Sequence, residues 1–344
     1  MAALIGTGIV PIGPVGTELT AVTRRAFIPK CIVQIYQSTP TLAAGLANAQ
    51  TASGGVSSVT VPVQGTPMVT AQATDYSGSF AQPAVQTGIT ESDFNLCAIV
   101  VPIPFLGMEG ILQLSAAVVP LIEARMNDAG NQIAEYASTQ LWTNATYGSI
   151  NIDGFPLIAN NTGLYGNIDR TPGANSWWRA NVNTDTGNLT RAKALKWIIS
   201  AMNFNGGEMP NFGVTDAGTW LLLAQDYQGL EQYQITPQSS FDQSNAGARS
   251  AFTALSVAGV PIYIDPFSPV TTVDDASTGQ LLLMNTRYYS FYIHEAAAFA
   301  FTGFASTLPN FQLGYIGALV AVLQDLTVKP KSITRITGFT SASI

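Results

Sequence analysis

The residues GVSSVTVPVQ (55–64) and FNLCAIVVPIPF (94–105) bracket a polar stretch, and a long helical pattern follows them. Val59, Val61 and Val63 alternate with Thr60, Pro62 and Gln64, which is the two-residue period of a half-buried strand. Pro62 has no amide hydrogen to donate, so that strand belongs at an edge. A polar stretch rich in Gly, Gln and Thr comes next, and Phe94 to Phe105 then reads as an apolar strand returning beside the first. A two-stranded excursion over 54–106 cannot bury both faces on itself. It needs a further surface, and a neighbouring subunit is one source of it.

The surrounding composition points the same way. Between Lys30 and Glu91 the only charged residue is Asp75. Charged residues make up 10% of the 344-residue chain, against about 25% in an ordinary soluble domain. Such a surface suits a subunit that meets several neighbours, because interface cores are depleted in charge. The chain is long enough for about two domains with a sizeable core. With a net charge of −7 and 14 basic residues spread thinly, it lacks the dense Lys/Arg that direct nucleic-acid binding requires.

Further along, residues 119–142 read as a long helix. Ile122, Met126, Ala129, Ile133, Tyr136 and Gln140 form one stripe, with Pro120 in the first turn and small residues that permit close packing. Residues 143–189 are Asn/Gly-rich loops. Thr190 caps a helix to about Asn203, with Leu195, Ile198 and Met202 on one face, and Gly206-Gly207 ends it. Phe212–Val214 reads as a strand, and Thr215 or Asp216 caps a helix through Gln228. Gly259–Asp265, Leu281–Asn285 and Tyr289–Ile293 read as strands, and Phe311–Leu326 as strand pairs in a sheet. At the N-terminus, Gly and Pro make residues 1–30 an extended arm. Its basic cluster, Arg24, Arg25 and Lys30, belongs either to a solvated tail or to an arm gripping an acidic neighbour.

Catalytic patterns are missing from the sequence. His294 is the only histidine, and beside Glu295 it reads as a structural contact. With one histidine and two cysteines, Cys31 and Cys97, a zinc site or a disulfide framework is not expected; both thiols read as reduced and buried. No nucleophile elbow, P-loop or dinucleotide fingerprint occurs. Asp274-Asp275 reads as a solvated loop, and Trp177-Trp178 as packing at a domain junction. No catalytic, cofactor or metal residue is assigned. Met1–Gly16 lacks the basic start of a signal peptide. The longest apolar run, Leu96–Met108, falls short of the ~20 residues of a membrane span, so no membrane is expected and the sequons at Asn144, Asn160 and Asn188 read as chance.

Six segments, in order, resemble the major capsid proteins of tailed double-stranded-DNA phages, the Hong Kong 97-type α+β fold. They are the hairpin followed by the long helix; "YASTQLWTNATYGSINIDGFPL" (136–157); "GNIDRT" (166–171) with Trp177-Trp178-Arg179; Gly206-Gly207 with "MPNF" (209–212); "VAGVPIYIDP" (257–266) with "LLLMNTRYY" (281–289); and "LTVKPKSITRITG" (326–338). The resemblance implies an N-terminal arm and lead-in (1–53), an E-loop (54–106), a P-domain with its spine helix (107–150), a mainly A-domain region (151–285) and a return to the P-domain sheet (286–344). It implies pentamers and hexamers closing into an icosahedral shell around phage DNA, without sequence-specific binding. That places the chain in the virion, assembled in the host cytoplasm. Portal and decoration proteins are implied partners, and the short arm points to a scaffold that is a separate protein. Residues 54–106 contain no lysine, so the cross-link known in the prototype of this fold is not expected and the shell is held noncovalently. The inter-subunit candidates are Arg24, Arg25, Val59, Val61, Val63, Asp75, Ile99 and Val101. The rival functions are a same-fold, encapsulin-like nanocompartment enclosing cargo enzymes and a glycan-binding surface protein.

Overall fold

Leu281, Leu282, Leu283 and Met284 are all fully buried, which requires a strand covered on both faces. Their side chains alternate between two apolar clusters. Leu282 and Met284 join the larger one, while Leu281 and Leu283 join the smaller. The strand that carries them therefore lies at the centre of the molecule.

In the computed structural model, residues 39–53, 55–65, 88–106, 121–227, 254–273, 276–302, 305–306 and 314–342 are described. The expectations for the arm, Arg24, Arg25, Cys31, Asp75 and Asp274-Asp275 fall outside these residues. In chain order the elements begin with α1 (Pro40–Ala47), β1 (Gln50–Ala52), β2 (Ser58–Gln64), β3 (Ile89–Asn95), β4 (Cys97–Leu106) and α2 (Leu121–Thr143). There follow α3 (Phe155–Ile158), β5 (Leu164–Tyr165), β6 (Ile168–Asp169), β7 (Asn181–Gly187), α4 (Arg191–Phe204), β8 (Phe212–Thr215) and α5 (Ala217–Tyr227). The last are β9 (Ala254–Val257), β10 (Val260–Ile264), β11 (Thr271–Val273), β12 (Ala276–Met284), β13 (Tyr289–His294), β14 (Ala300–Phe301), β15 (Ala305–Ser306), β16 (Gly314–Thr327) and β17 (Ile333–Thr340).

Two sheets organise this α+β chain. In the first, β16 is central. One edge of it pairs with β4 through ten residues, and the other meets β13, β14 and β15 in succession. The second has the order β7-β17-β12-β8-β10-β9, with β11 also on β12. Helix α2 lies on the inner face of β4 and β16. Helices α4 and α5 cover the second sheet around Leu281, Leu283, Ile336 and Phe339. The caps read from the sequence are present: the Thr190 hydroxyl accepts from Lys193 N–H at 3.3 Å, and Asp216 Oδ2 accepts from Thr219 N–H at 2.9 Å. Gly206 and Gly207 end α4 with φ of 76° and 96°, and Gly207 N–H returns to Met202 O.

Several expectations are corrected. The apolar run 94–105 is not the second strand of the hairpin: β2 pairs with β3, and the chain then crosses at Leu96 into β4 in the first sheet. A ten-residue partner buries far more of "CAIVVPIPF" than a seven-residue hairpin strand could. The run read as strand pairs is, over its described part, one strand, Gly314–Thr327. The buried stripe of α2 is Ala129, Ile133, Ala137 and Leu141, while Tyr136 points outward. On α4 the buried face is Ala194, Trp197, Ile198 and Ala201, which leaves Leu195 exposed. In both helices the true stripe runs through alanines, whose small side chains let the helix approach its sheet. The C-terminal β17 does not stay with the first sheet but lies between β7 and β12 in the second.

Candidate intersubunit surfaces

The hairpin β2–β3 has two unlike faces. Val59, Val61, Val63, Ser92 and Phe94 form the covered one. Phe94 sits edge-on to Tyr165 at 5.2 Å, and Tyr165 stacks on Trp178 at 5.9 Å. Gly166 and Asn167, with φ of 57° and 61°, turn β5 into β6 and bring the Gly166 carbonyl to Asp93 N–H at 3.2 Å. A Cβ on Gly166 would collide with Ser92 Oγ, and one on Gly65 would collide with the Trp177 ring. Val59, Val61 and Val63 therefore pack on their own chain, and Trp177 and Trp178 line a pocket with Val61 and Val63. The surface that the hairpin needed comes first from its own subunit. The other face, with Thr60, Pro62, Gln64, Ile89 and Glu91, stays exposed, and Ile89 is 71% accessible.

The first sheet presents a second surface. Along β4, Cys97, Ile99 and Ile103 point inward, while Ala98, Val100, Pro102 and Pro104 point out. Opposite them on β16 stand Val322, Val320, Ala318 and Ile316. These eight outward positions are all apolar; Val100 is 53% exposed and Ile316 44%. Pro102 and Pro104 have the same parity, so both missing donors fall on one side of the strand, the side suited to a free edge. Ile99, one of the inter-subunit candidates, is only 7% exposed and fills the core of its own chain. Val63 is buried in the same way and Val101 is half-buried. The informative residues at this surface are Val100 and Ile316. Sequence reasoning misses them because β4 is apolar on both faces and its alternation carries no sign of which face turns inward.

No family model and no curated protein matches the chain. Solved structures do. The capsid asymmetric unit of cyanophage A-1(L) superposes with a TM-score of 0.66 at 13% identity, over 93% of this chain and 98% of that one. The capsid of a native GTA particle gives 0.61 at 12% identity, over 96% and 100%. The holo-SrpI encapsulin complex of Synechococcus elongatus gives 0.60 at 11% identity, over 95% and 96%. The chain has the phage capsid fold.

Within this capsid fold, polar groups are buried beside β16. Asp325 on β16 and Asp153 after α2 are both buried. Desolvation pushes Asp153 up to about 7, with Arg170 acting against it. Asp325 is raised well above the usual carboxylate range by burial and then by Asp153. The fully buried Arg170 donates to the carbonyls of Leu157, Ile158, Asn160 and Gly163 and so holds the loop after α3. Gln324 Oε1 accepts from Asp153 N–H at 2.9 Å, and Tyr165 OH accepts from Thr327 N–H at 2.9 Å. Burial pushes the Cys97 thiol up to about 12, which keeps it protonated and unreactive. His294 Nδ1 accepts from Ala296 N–H at 3.2 Å and caps a turn. Among the described residues no group of three His, Cys, Asp or Glu gathers to hold a metal, and no helix is long and apolar enough to cross a membrane.

Proposed function

We propose that this chain is the major capsid subunit of a tailed phage, a structural and non-enzymatic protein that self-assembles through hexamers and pentamers into an icosahedral shell around genomic DNA. The observation that carries the reading is the wholly apolar outward face of β4 and β16, displayed on a capsid fold. An apolar sheet face of that kind marks an interaction surface. In this reading the hairpin is the base of the E-loop, α2 is the spine helix of the P-domain, and the second sheet belongs to the A-domain, which β17 re-enters. The shell is noncovalent, since no lysine lies in 54–106. The acidic balance of the chain, −7 overall, lets packed DNA slide along an inner wall without sticking. Scaffold, portal and decoration proteins are its expected partners, and the virion its place after assembly in the host cytoplasm.

Electron microscopy of the purified protein, alone and co-expressed with a scaffold, tests this. Closed particles of uniform diameter are expected. Val100→Glu should abolish them while leaving the far-UV circular dichroism of the subunit unchanged. A Val100→Glu protein that builds normal shells would remove the sheet face from the argument. The encapsulin likeness, with a TM-score of 0.60, favours a second reading, a nanocompartment around cargo enzymes. Particles purified from the native source decide between the two, since a phage shell holds DNA and a nanocompartment holds protein.

A further inference from the structure

Two strands of the second sheet end in aspartates at the same rim. β8 and β10 run parallel, with Ile264 opposite Thr215, and the Asp265 N–H extends the ladder to the Thr215 carbonyl at 3.0 Å. Asp216 and Asp265 are the next residues, so both stand at the carboxyl ends of adjacent parallel strands, where open α/β sheets gather their ligands. A pocket of about 280 Å³ lies there, lined by both aspartates, by Ser268, Ser277 and Ser341, and by the exposed Val270.

The pocket is polar, buried and without a counter-charge. Asp216, Asp265, Ser268 and Ser341 are 2%, 1%, 5% and 6% exposed. Asp216 Oδ2 accepts from Thr219 N–H at 2.9 Å and from the Ser341 hydroxyl at 2.6 Å, while Asp216 Oδ1 has no partner. Ser268 Oγ has none either, although buried polar atoms are ordinarily satisfied. The two oxygens of Asp265 accept from Phe267 N–H at 2.9 Å and from the Thr41 hydroxyl, and each retains a lone pair. Among the described residues no lysine, arginine or histidine lines the pocket, and neither aspartate forms an ion pair. Burial pushes Asp265 up to about 6, the response of a carboxyl with no cation beside it. Two glycines keep the walls clear: a Cβ on Gly279 would collide with Asp216 Oδ1, and one on Gly218 with Ser341 Oγ.

We propose that this pocket is a calcium site, in which Asp216 Oδ1, the Asp265 carboxylate and Ser268 Oγ hold the ion directly or through water. Every donor is an oxygen, which suits a hard cation over zinc or copper. Calcium takes about six to eight oxygens in irregular geometry, whereas magnesium demands a near-ideal octahedron. Two carboxylates and scattered hydroxyls around a roomy pocket meet the first condition and not the second. With two carboxylates the affinity belongs at the weak end of calcium sites, about 10⁻⁴–10⁻³ M. The ion would tie α5 and the end of β10 to the C-terminal Ser341 and, through Thr41, to α1, so it stabilises the subunit. The site does not depend on the shell reading.

Calcium titration of the purified full chain, stripped of metal with a chelator, tests this. Calorimetry should find a single site per chain, and the melting temperature should rise by a few degrees once calcium exceeds its Kd about a hundredfold. Magnesium at the same concentrations should do less. Terbium in place of calcium should luminesce when tryptophan is excited, because Trp220 lies one helical turn after Asp216, its N–H on the Asp216 carbonyl at 3.0 Å. Asp216→Asn, which can still cap α5, and Asp265→Asn should each weaken binding by about tenfold or more. Ser341→Ala, which removes the hydroxyl that orients Asp216, should weaken it by about tenfold. Circular dichroism without metal checks that each variant folds, and the serine variant decides if an aspartate variant does not. Wild-type protein with neither a calcium-dependent melt nor terbium emission overturns the site. Equal binding by wild type and the folded variants moves the ion elsewhere and overturns it too. Magnesium acting as strongly as calcium overturns the assignment to calcium.

Discussion

Asp153 and Asp325 are carboxyl groups in a place that favours apolar side chains. In the unfolded chain each ionises near 4, whereas burial holds Asp153 up to about 7 and Asp325 well above the usual carboxylate range. Between those values the native state binds more protons than the unfolded one, so stability falls as pH rises from about 4 to about 7. Asp265, raised to about 6 by burial, acts in the same direction. For Asp153 the shift corresponds to about 4 kcal/mol. The subunit should therefore melt higher at pH 5 than at pH 8, and Asp325→Asn should raise the melting temperature at pH 8 more than at pH 5. A wild-type melting temperature independent of pH would contradict this. Gly65 is decisive for space instead of charge. Gly65→Ala would push on the Trp177 ring and should loosen the hairpin by about 1–3 kcal/mol, read as faster amide exchange over 58–64. Unchanged exchange would show that the ring yields at no cost.

Among the elements, β4 divides the molecule from the outside. Ile99 and Val100 are neighbours in sequence but lie on opposite faces. Ile99→Glu buries an unpaired carboxyl and should cost the subunit more than about 3 kcal/mol. Val100→Glu should change subunit stability by less than about 0.5 kcal/mol and act only on assembly. Denaturant unfolding of the two variants checks the pair, and equal destabilisation would mean that β4 is covered on both faces within one chain. The hairpin makes the same point. From sequence its alternation is plain, and so is the edge role of Pro62. That its Phe94 finds cover on Tyr165 of the same chain follows from a turn more than seventy residues away, which no local pattern announces.

For the whole molecule, low charge should show as salt tolerance. With apolar sheet faces dominating the contacts, closed shells should persist at about 1 M NaCl, where charges are screened beyond about 3 Å. Light scattering through a salt step checks this, and release of free subunits would make charge the main force. The two sheets share the strongly apolar core through β12 and β16, so the subunit should unfold as one unit before any shell contact is lost to local melting.

The hairpin, the long helix, the caps at Thr190 and Asp216 and the charge-poor surface are legible in the amino-acid sequence by itself. All are local or compositional, because a period, a cap residue or a count of charges depends only on neighbours along the chain. The resemblance carries the fold as a whole. The sequence alone does not tell which face of an all-apolar strand turns inward, which strand accompanies β2, or where β17 ends. Nor does it show that Asp325 sits fully buried. Those depend on contacts between residues far apart in sequence, and only tertiary packing decides which of two equally apolar faces meets the core and which is left for another copy.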